Sequence, residues 1–237
     1  MKFATLDGKI VQAGGMVVKN VAGLDFGKLM IGSFGTLAAI TSVNFKLTPV
    51  PEQTRTFVFE HKTAAAAGAK VEDLLRSQLQ PVAIDILKSP EAANLFVQVA
   101  GSAAVVARYQ REFGRDGYEG ELAEPFWDSR QLPYTSTATV RVSCALSEVS
   151  AVLDALPGSA LARAGNGIVY AFFEDWQTAA GWVEKSKWTA VIESAPQDCP
   201  ADVRWPKPGS AFATMEKVKA MFDPKRLLNP GRLYGRL

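Results

Sequence analysis

The chain has 237 residues, 48% apolar and 21% charged, with 26 Lys and Arg against 24 Asp and Glu. That length suffices for one large domain or two small ones with a sizeable core, and the composition is ordinary for a globular protein. A net charge of +2, with both signs interspersed, leaves no electrostatic footprint for nucleic acid and no polybasic anchor.

In chain order, residues 2–6 and 9–13 flank Asp7-Gly8 and read as a hairpin on a two-residue turn. A stretch punctuated by Gly23, Gly27, Gly32 and Gly35 follows, and residues 36–49 then read as one long strand, buried at first and alternating near its end. Pro49 and Pro51 mark a boundary. Beyond it come a strand over 54–60, a helix from Thr63 to Leu79, strands over 81–87 and 94–101, and a helix opening at Ser102. A short strand is expected over 118–122. A second pass of the same grammar gives a strand over 136–146, a helix opening at Ser147, strands over 159–165 and 167–173 joined at Asn166-Gly167, a helix over 175–187 and a strand over 188–194. The order βαββα followed by βαββαβ predicts an α+β fold: an antiparallel sheet with helices on one face, built from two ferredoxin-like, split-βαβ units. In the tail, Met215, Val218, Met221 and Phe222 form the expected apolar face of a helix that Asp223-Pro224 stops.

Few side chains offer chemistry. Cys144 and Cys199 lie in no metal spacing and read as free thiols, the single His61 reads as a surface residue, and a histidine-rich metal site is excluded. The first residues lack the pattern of a signal peptide and no apolar run reaches the roughly 18 residues of a spanning helix, so the expectation is a cytoplasmic protein without a transmembrane segment. The segment GLDFGK is one residue short of a Walker A loop and has Leu29 where magnesium needs a hydroxyl; GSFGT is followed by a strand where a Rossmann turn needs a helix. What remains at Gly32 and Gly35 is a bare backbone, either a concavity of amides for an anion or a tight turn before a core strand.

The stretch from Lys19 to Thr41, KNVAGLDFGKLMIGSFGTLAAIT, resembles the closing segment of the FAD-binding domain in PCMH-type flavoproteins, the vanillyl-alcohol-oxidase family. Lys19, Asn20, Gly23, Asp25, Leu29, Gly32, Ser33, Gly35, Thr36, Leu37, Ile40 and Thr41 all fall on its pattern; Phe26 and Ala38 depart from it. The tail FDPKRLLNPGRLYGRL and the element FWDSR (Phe126 to Arg130) are similar to that family's terminus and to its W-x-x-R element. Within the family the chain resembles the FAD-binding subunit of bacterial glycolate oxidase, and the resemblance covers a C-terminal portion. The resemblance implies three regions: 1–51 as the end of an FAD-binding domain, 52–209 as a cap or substrate domain, and 210–237 as a helix and tail returning to the FAD cavity. It implies FAD as cofactor, or an apo state where the rest of the FAD domain is missing. Lys19, Gly23, Gly32, Ser33, Gly35, Thr36, Ile40, Thr41 and Asn229 would face it. Lys19 could also serve a substrate carboxylate or lie at the surface, and Asp25 could simply cap a short helix. Arg130, whose fork suits the carboxylate of a small 2-hydroxy acid, is the substrate-side candidate against a surface ion pair. Trp127 is a flavin neighbour or a core anchor. The catalytic base is unassigned. A second flavoprotein and an iron–sulfur subunit are the implied partners, and through them a peripheral position at the inner membrane. The alternative is a non-catalytic assembly module of the same complex.

Overall fold

Two units share the chain, Met1–Thr48 with Cys199–Leu237, and Pro49–Asp198. The structure, a computed structural model, describes residues 1–15, 24–114, 126–127 and 137–237. The expected strand over 118–122 lies outside the described residues.

The first unit opens with β1 (Lys2–Ala4) and β2 (Ile10–Gln12), an antiparallel hairpin. Its loop is one residue longer than the two-residue turn expected: Thr5 N–H donates to Lys9 O at 3.0 Å, leaving Leu6, Asp7 and Gly8 outside the ladder, with Gly8 at φ +78°. After α1 (Phe26–Met30) comes β3 (Ala39–Ser42), which pairs with the other side of β1 to give the order β2-β1-β3. The single long strand expected over 36–49 is not formed. β1 offers no partner beyond Lys2, which pairs with Ser42, and the register slips at Thr41. All four residues of β3 are exposed because it is an edge strand. Phe3, Met30, Leu37 and Ala38 form the small core beneath. The Ala38 methyl is therefore a packing group at the position where the flavoprotein pattern has glycine.

The second unit is a seven-stranded sheet, antiparallel throughout. Its elements are β4 (Gln53–Phe59), α2 (Ala64–Arg76), β5 (Ala83–Lys88), β6 (Ala93–Gly101), α3 (Ala103–Phe113), β7 (Ala138–Ser143), α4 (Val149–Ala155), β8 (Ala160–Arg163), β9 (Ile168–Phe173), α5 (Trp176–Lys185) and β10 (Thr189–Ser194). The order β10-β7-β9-β8 of the second half is the split-βαβ arrangement, and the first half contributes β5-β6-β4 among the described residues. The halves join strand to strand, Asp85 opposite Arg163 and Lys88 opposite Ala160. Period-two alternation sends Phe57, Ile86, Val97, Val140 and Val169 toward Val71, Val106, Leu153 and Val183 of the helices. Val58, Phe96, Leu161 and Tyr170 turn to the helix-free face. Side-chain caps start three helices: Thr63, Ser102 and Asp175 each accept an N–H three residues on. Ser147 caps nothing; it lies in a 3-10 turn, Leu146–Glu148, that precedes α4.

The first unit is completed by α6 (Phe212–Phe222). Its inward stripe differs from the expected one. Phe212 and Lys219 are buried, Met215, Val218 and Phe222 are half-buried, and Met221 is 79% exposed. At 100° per residue, Met221 lies too far round from Phe212 and Met215 to share their face. Phe212, Leu233 and Leu237 form a second small core with Trp205 and Tyr234, so the tail is docked.

Candidate functional site

The glycine loop is launched by α1. Asp25 accepts the Lys28 N–H at 3.1 Å, and this capping bond, with the Lys28 side chain, holds its carboxyl below the usual range. The loop then runs through three left-handed residues, Gly32 at φ +80°, Phe34 at +53° and Gly35 at +71°. Ser33 N–H returns to Met30 O, and the Thr36 N–H and hydroxyl both donate to Ser33 O, at 3.0 and 2.7 Å. The N–H groups of Gly32, Phe34 and Gly35 donate to no described group. Of these, Phe34 and Gly35 are successive amides without acceptors among the described residues, an arrangement that can serve an anion or a polar ring edge. Phe34 carries a side chain in a region that costs an L-residue about 1–2 kcal/mol. Its ring is held by Trp205, 6.1 Å away edge-on, and by the Arg232 guanidinium 5.5 Å from its centroid.

The tail is clamped onto this loop from α6. The Lys219 ammonium, 3% exposed, donates to Thr36 O at 2.7 Å, to Leu228 O at 2.8 Å and to the Asp223 carboxylate at 2.6 Å. Asp223, fully buried, also accepts the N–H groups of Leu227 and Leu228. Burial works against its ionisation, but the Lys219 hydrogen bond and those two N–H donors prevail, and its pKa falls to about 2. The clamp sets Asn229, itself at φ +41°, so that its Nδ2 donates to Phe34 O at 2.7 Å. A Cβ on Gly35 would stand 2.8 Å from that same nitrogen, so a side chain there is excluded by both space and φ.

Of the residues singled out from the sequence, Gly35 meets Asn229, while Gly32, Ser33 and Thr36 line an adjoining hollow of about 330 Å³. Leu29, Met215 and Val218 give the hollow apolar walls, and Lys219 lies at its edge. A Cβ on Gly32 would meet nothing within 4 Å, so a flat group can approach the backbone there. Ile40 and Thr41 do not line this hollow; both are exposed on β3. Lys19, Gly23 and Arg130 lie outside the described residues. Beside Arg130 in sequence, Phe126 stacks on Phe96 with centroids 3.8 Å apart, and Trp127 Nε1 donates to Thr56 Oγ1 at 2.7 Å. Both rings thus anchor on the helix-free face of the sheet. His61 is half-buried, and burial together with nearby Lys70 lowers its pKa, which favours the neutral imidazole. Both cysteines are free thiols. Lys219 and Asp223 escaped the sequence reading because a Lys and an Asp four residues apart on a helix look like any solvated pair.

A family described as FAD linked oxidases, C-terminal domain, matches residues 203–233, the segment that carries Lys219, Asp223 and Asn229. The glycolate oxidase subunit GlcE of Escherichia coli K12 is 27% identical over 248 aligned positions, which take in 100% of this chain and 65% of that protein. The glycolate oxidase subunit GlcD of Bacillus subtilis 168 is 34% identical over 90 positions, 38% of this chain and 19% of that protein. Among solved structures, an alkyldihydroxyacetonephosphate synthase superposes on 97% of this chain and 52% of its own length, with a TM-score of 0.58 at 15% identity, a likeness of fold. The chain thus spans about two thirds of GlcE and about half of the synthase. Among the described residues no helix is long and apolar enough to cross a membrane.

Proposed function

We propose, from the premise that this chain is related along its length to the FAD-linked oxidases, that it is the C-terminal part of a flavin-dependent oxidoreductase of small 2-hydroxy acids, glycolate foremost. The observation that carries this reading is the meeting of Asn229 with Gly35 beside three backbone N–H groups that have no acceptor among the described residues. These groups fit a flat, phosphorylated coenzyme. Gly32, Ser33, Gly35, Thr36 and Asn229 would hold its polar edge. Lys19, Gly23, Ile40 and Thr41 complete the set that the family resemblance supplies. Bound FAD supplies the acceptor for the two electrons that leave the hydroxy acid. The chain's own part is to bind, to orient and to exclude water: the Thr36 and Asn229 side chains fix the loop, and Arg130 would take the substrate carboxylate in its fork. A second flavoprotein and an iron–sulfur subunit are the proposed partners, with a cytoplasmic site peripheral to the inner membrane.

The direct test is a visible spectrum. Purified chain incubated with FAD and desalted is expected to retain an absorbance band at about 450 nm, a property of the cofactor. Gly32→Leu, which fills the open approach at a strain of about 1–2 kcal/mol for its left-handed φ, should lose that band while far-UV circular dichroism and a thermal melt show the chain still folded. Failure of the unsubstituted chain to retain flavin under any loading condition would instead favour an assembly module without flavin. One observation supports that second reading: the Phe34 and Thr36 carbonyls are already occupied by Asn229 and Lys219.

A further inference from the structure

The first unit has an outward side that the flavin reading does not use. At 100° per residue, Ala213, Lys217, Ala220 and Met221 of α6 fall on one face, opposite the buried Phe212 and Lys219, and all four are exposed. The chain leaves the helix at Asp223 and continues through Lys225, Arg226 and Leu227, each exposed. Met221 is 79% exposed and Leu227 64%. From Ala213 to Leu237 the side chains of six Lys and Arg stand against Glu216 and Asp223, net +4. Lys219 and Asp223 spend each other's charge in the buried clamp. That leaves Lys217, Lys225, Arg226, Arg232 and Arg236, all exposed, and none has a carboxylate partner among the described residues. Arg226 donates from Nη1 to Arg236 O at 3.3 Å, which ties the start of the tail to its end.

We infer that this strip seats the chain on an anionic phospholipid surface, with Met221 and Leu227 entering the headgroup layer and Lys217, Lys225 and Arg226 meeting phosphate oxygens. Unpaired cations call for a negatively charged partner, and both ammonium and guanidinium groups suit phosphate. The interleaving decides between a bilayer and an acidic protein. The core of a protein–protein contact is depleted of charge and gathers its apolar side chains together. Here Met221 and Leu227 stand singly, with Lys217 before them and Lys225 and Arg226 between them. On a bilayer, long Lys and Arg stems keep their charges at the headgroups while isolated apolar side chains sink past them. The net charge of the whole chain, +2, gives no sign of the strip because acidic residues elsewhere offset it. The inference goes beyond the proposed oxidase reading, in which a membrane is reached through partner subunits: this contact belongs to the chain itself and uses no flavin.

The test cosediments the full chain, without flavin, with vesicles of phosphatidylcholine alone or with about 30% phosphatidylglycerol. Binding to the anionic vesicles is expected to be at least tenfold stronger, and to be lost between about 50 and about 500 mM salt. Lys225→Glu with Arg226→Glu should weaken it at least tenfold, whereas Lys62→Glu with Lys187→Glu, the same charge change on exposed lysines of the sheet unit, should leave it within twofold. Leu227→Ser, at an exposed side chain that folding tolerates, should weaken it at least threefold. Equal binding to both vesicles, equal loss in the two double variants, or no binding at all would each overturn the assignment. Polyglutamate bound as tightly as the anionic vesicles, with Leu227→Ser without effect, would overturn it in favour of an acidic protein partner. No flavin enters these measurements, so their failure stays separate from failure of the flavin test.

Discussion

At the residue scale the molecule turns on Asp223. Its carboxylate closes a network with the Lys219 ammonium and the N–H groups of Leu227 and Leu228. The folded pKa, about 2, lies below the ordinary 3.8. The carboxylate's contribution to stability is therefore fully present above the unfolded value, and it is lost as pH falls from about 4 toward about 2. Asp223→Asn is expected to cost about 3–5 kcal/mol at neutral pH, because it leaves the Lys219 ammonium buried without its partner. Urea denaturation at pH 7 and pH 3 checks this: the loss should shrink at the lower pH. A loss of equal size at both would show that the charge of Asp223 is not what matters. Gly35 was singled out as a glycine within a patterned loop, and Asn229 only through the family resemblance of the tail. The partnership of Lys219 with Thr36 O, 183 residues apart in sequence, was not legible, because only the fold brings the ends of the chain together.

At the element scale, the caps at Thr63 and Ser102 were readable, since each depends on neighbours within a few residues, whereas Ser147 caps nothing. The length of β3 and the inward stripe of α6 were not readable. A strand lasts only where a partner strand runs beside it, and the buried Lys219 carries no apolar signal that would mark an inward stripe. Helix packing holds a further case. A Cβ on Gly68 of α2 would stand 2.8 Å from the Ser150 Cβ of α4. In an open helix Gly→Ala gains roughly 1 kcal/mol from propensity. Here the two helices must separate, and overpacking of this kind costs about 1–3 kcal/mol. Gly68→Ala is accordingly expected to lower stability, whereas the same change in a Ser150→Gly background should raise it relative to Ser150→Gly alone. Equal effects in both backgrounds, measured by thermal melting, would show that the helix contact is not what selects glycine.

At the scale of the whole molecule, the near-neutral total conceals a division. The loop unit holds 13 Lys and Arg against 5 Asp and Glu, net +8, and the sheet unit 13 against 19, net −6. The two signs are interspersed along the chain but not between the units, which the composition alone could not reveal because the loop unit is assembled from both ends of the sequence. The sheet unit is one continuous segment whose core draws on both of its halves. Residues 49–198 expressed alone should therefore melt cooperatively with the far-UV spectrum of an α+β protein; a non-cooperative melt would mean that the unit depends on the rest of the chain. The charge division bears on the coenzyme as well. A pyrophosphate drawn to the +8 unit would bind through long-range attraction as well as local N–H groups, and salt screens the first without touching the second. Retention of FAD by the full chain should therefore weaken several-fold between about 50 and about 500 mM salt, while the 49–198 segment retains none at either. Salt-independent retention would place the coenzyme's affinity in apolar contacts such as the walls at Leu29 and Met215, and retention by the 49–198 segment would move the flavin site out of the glycine loop altogether.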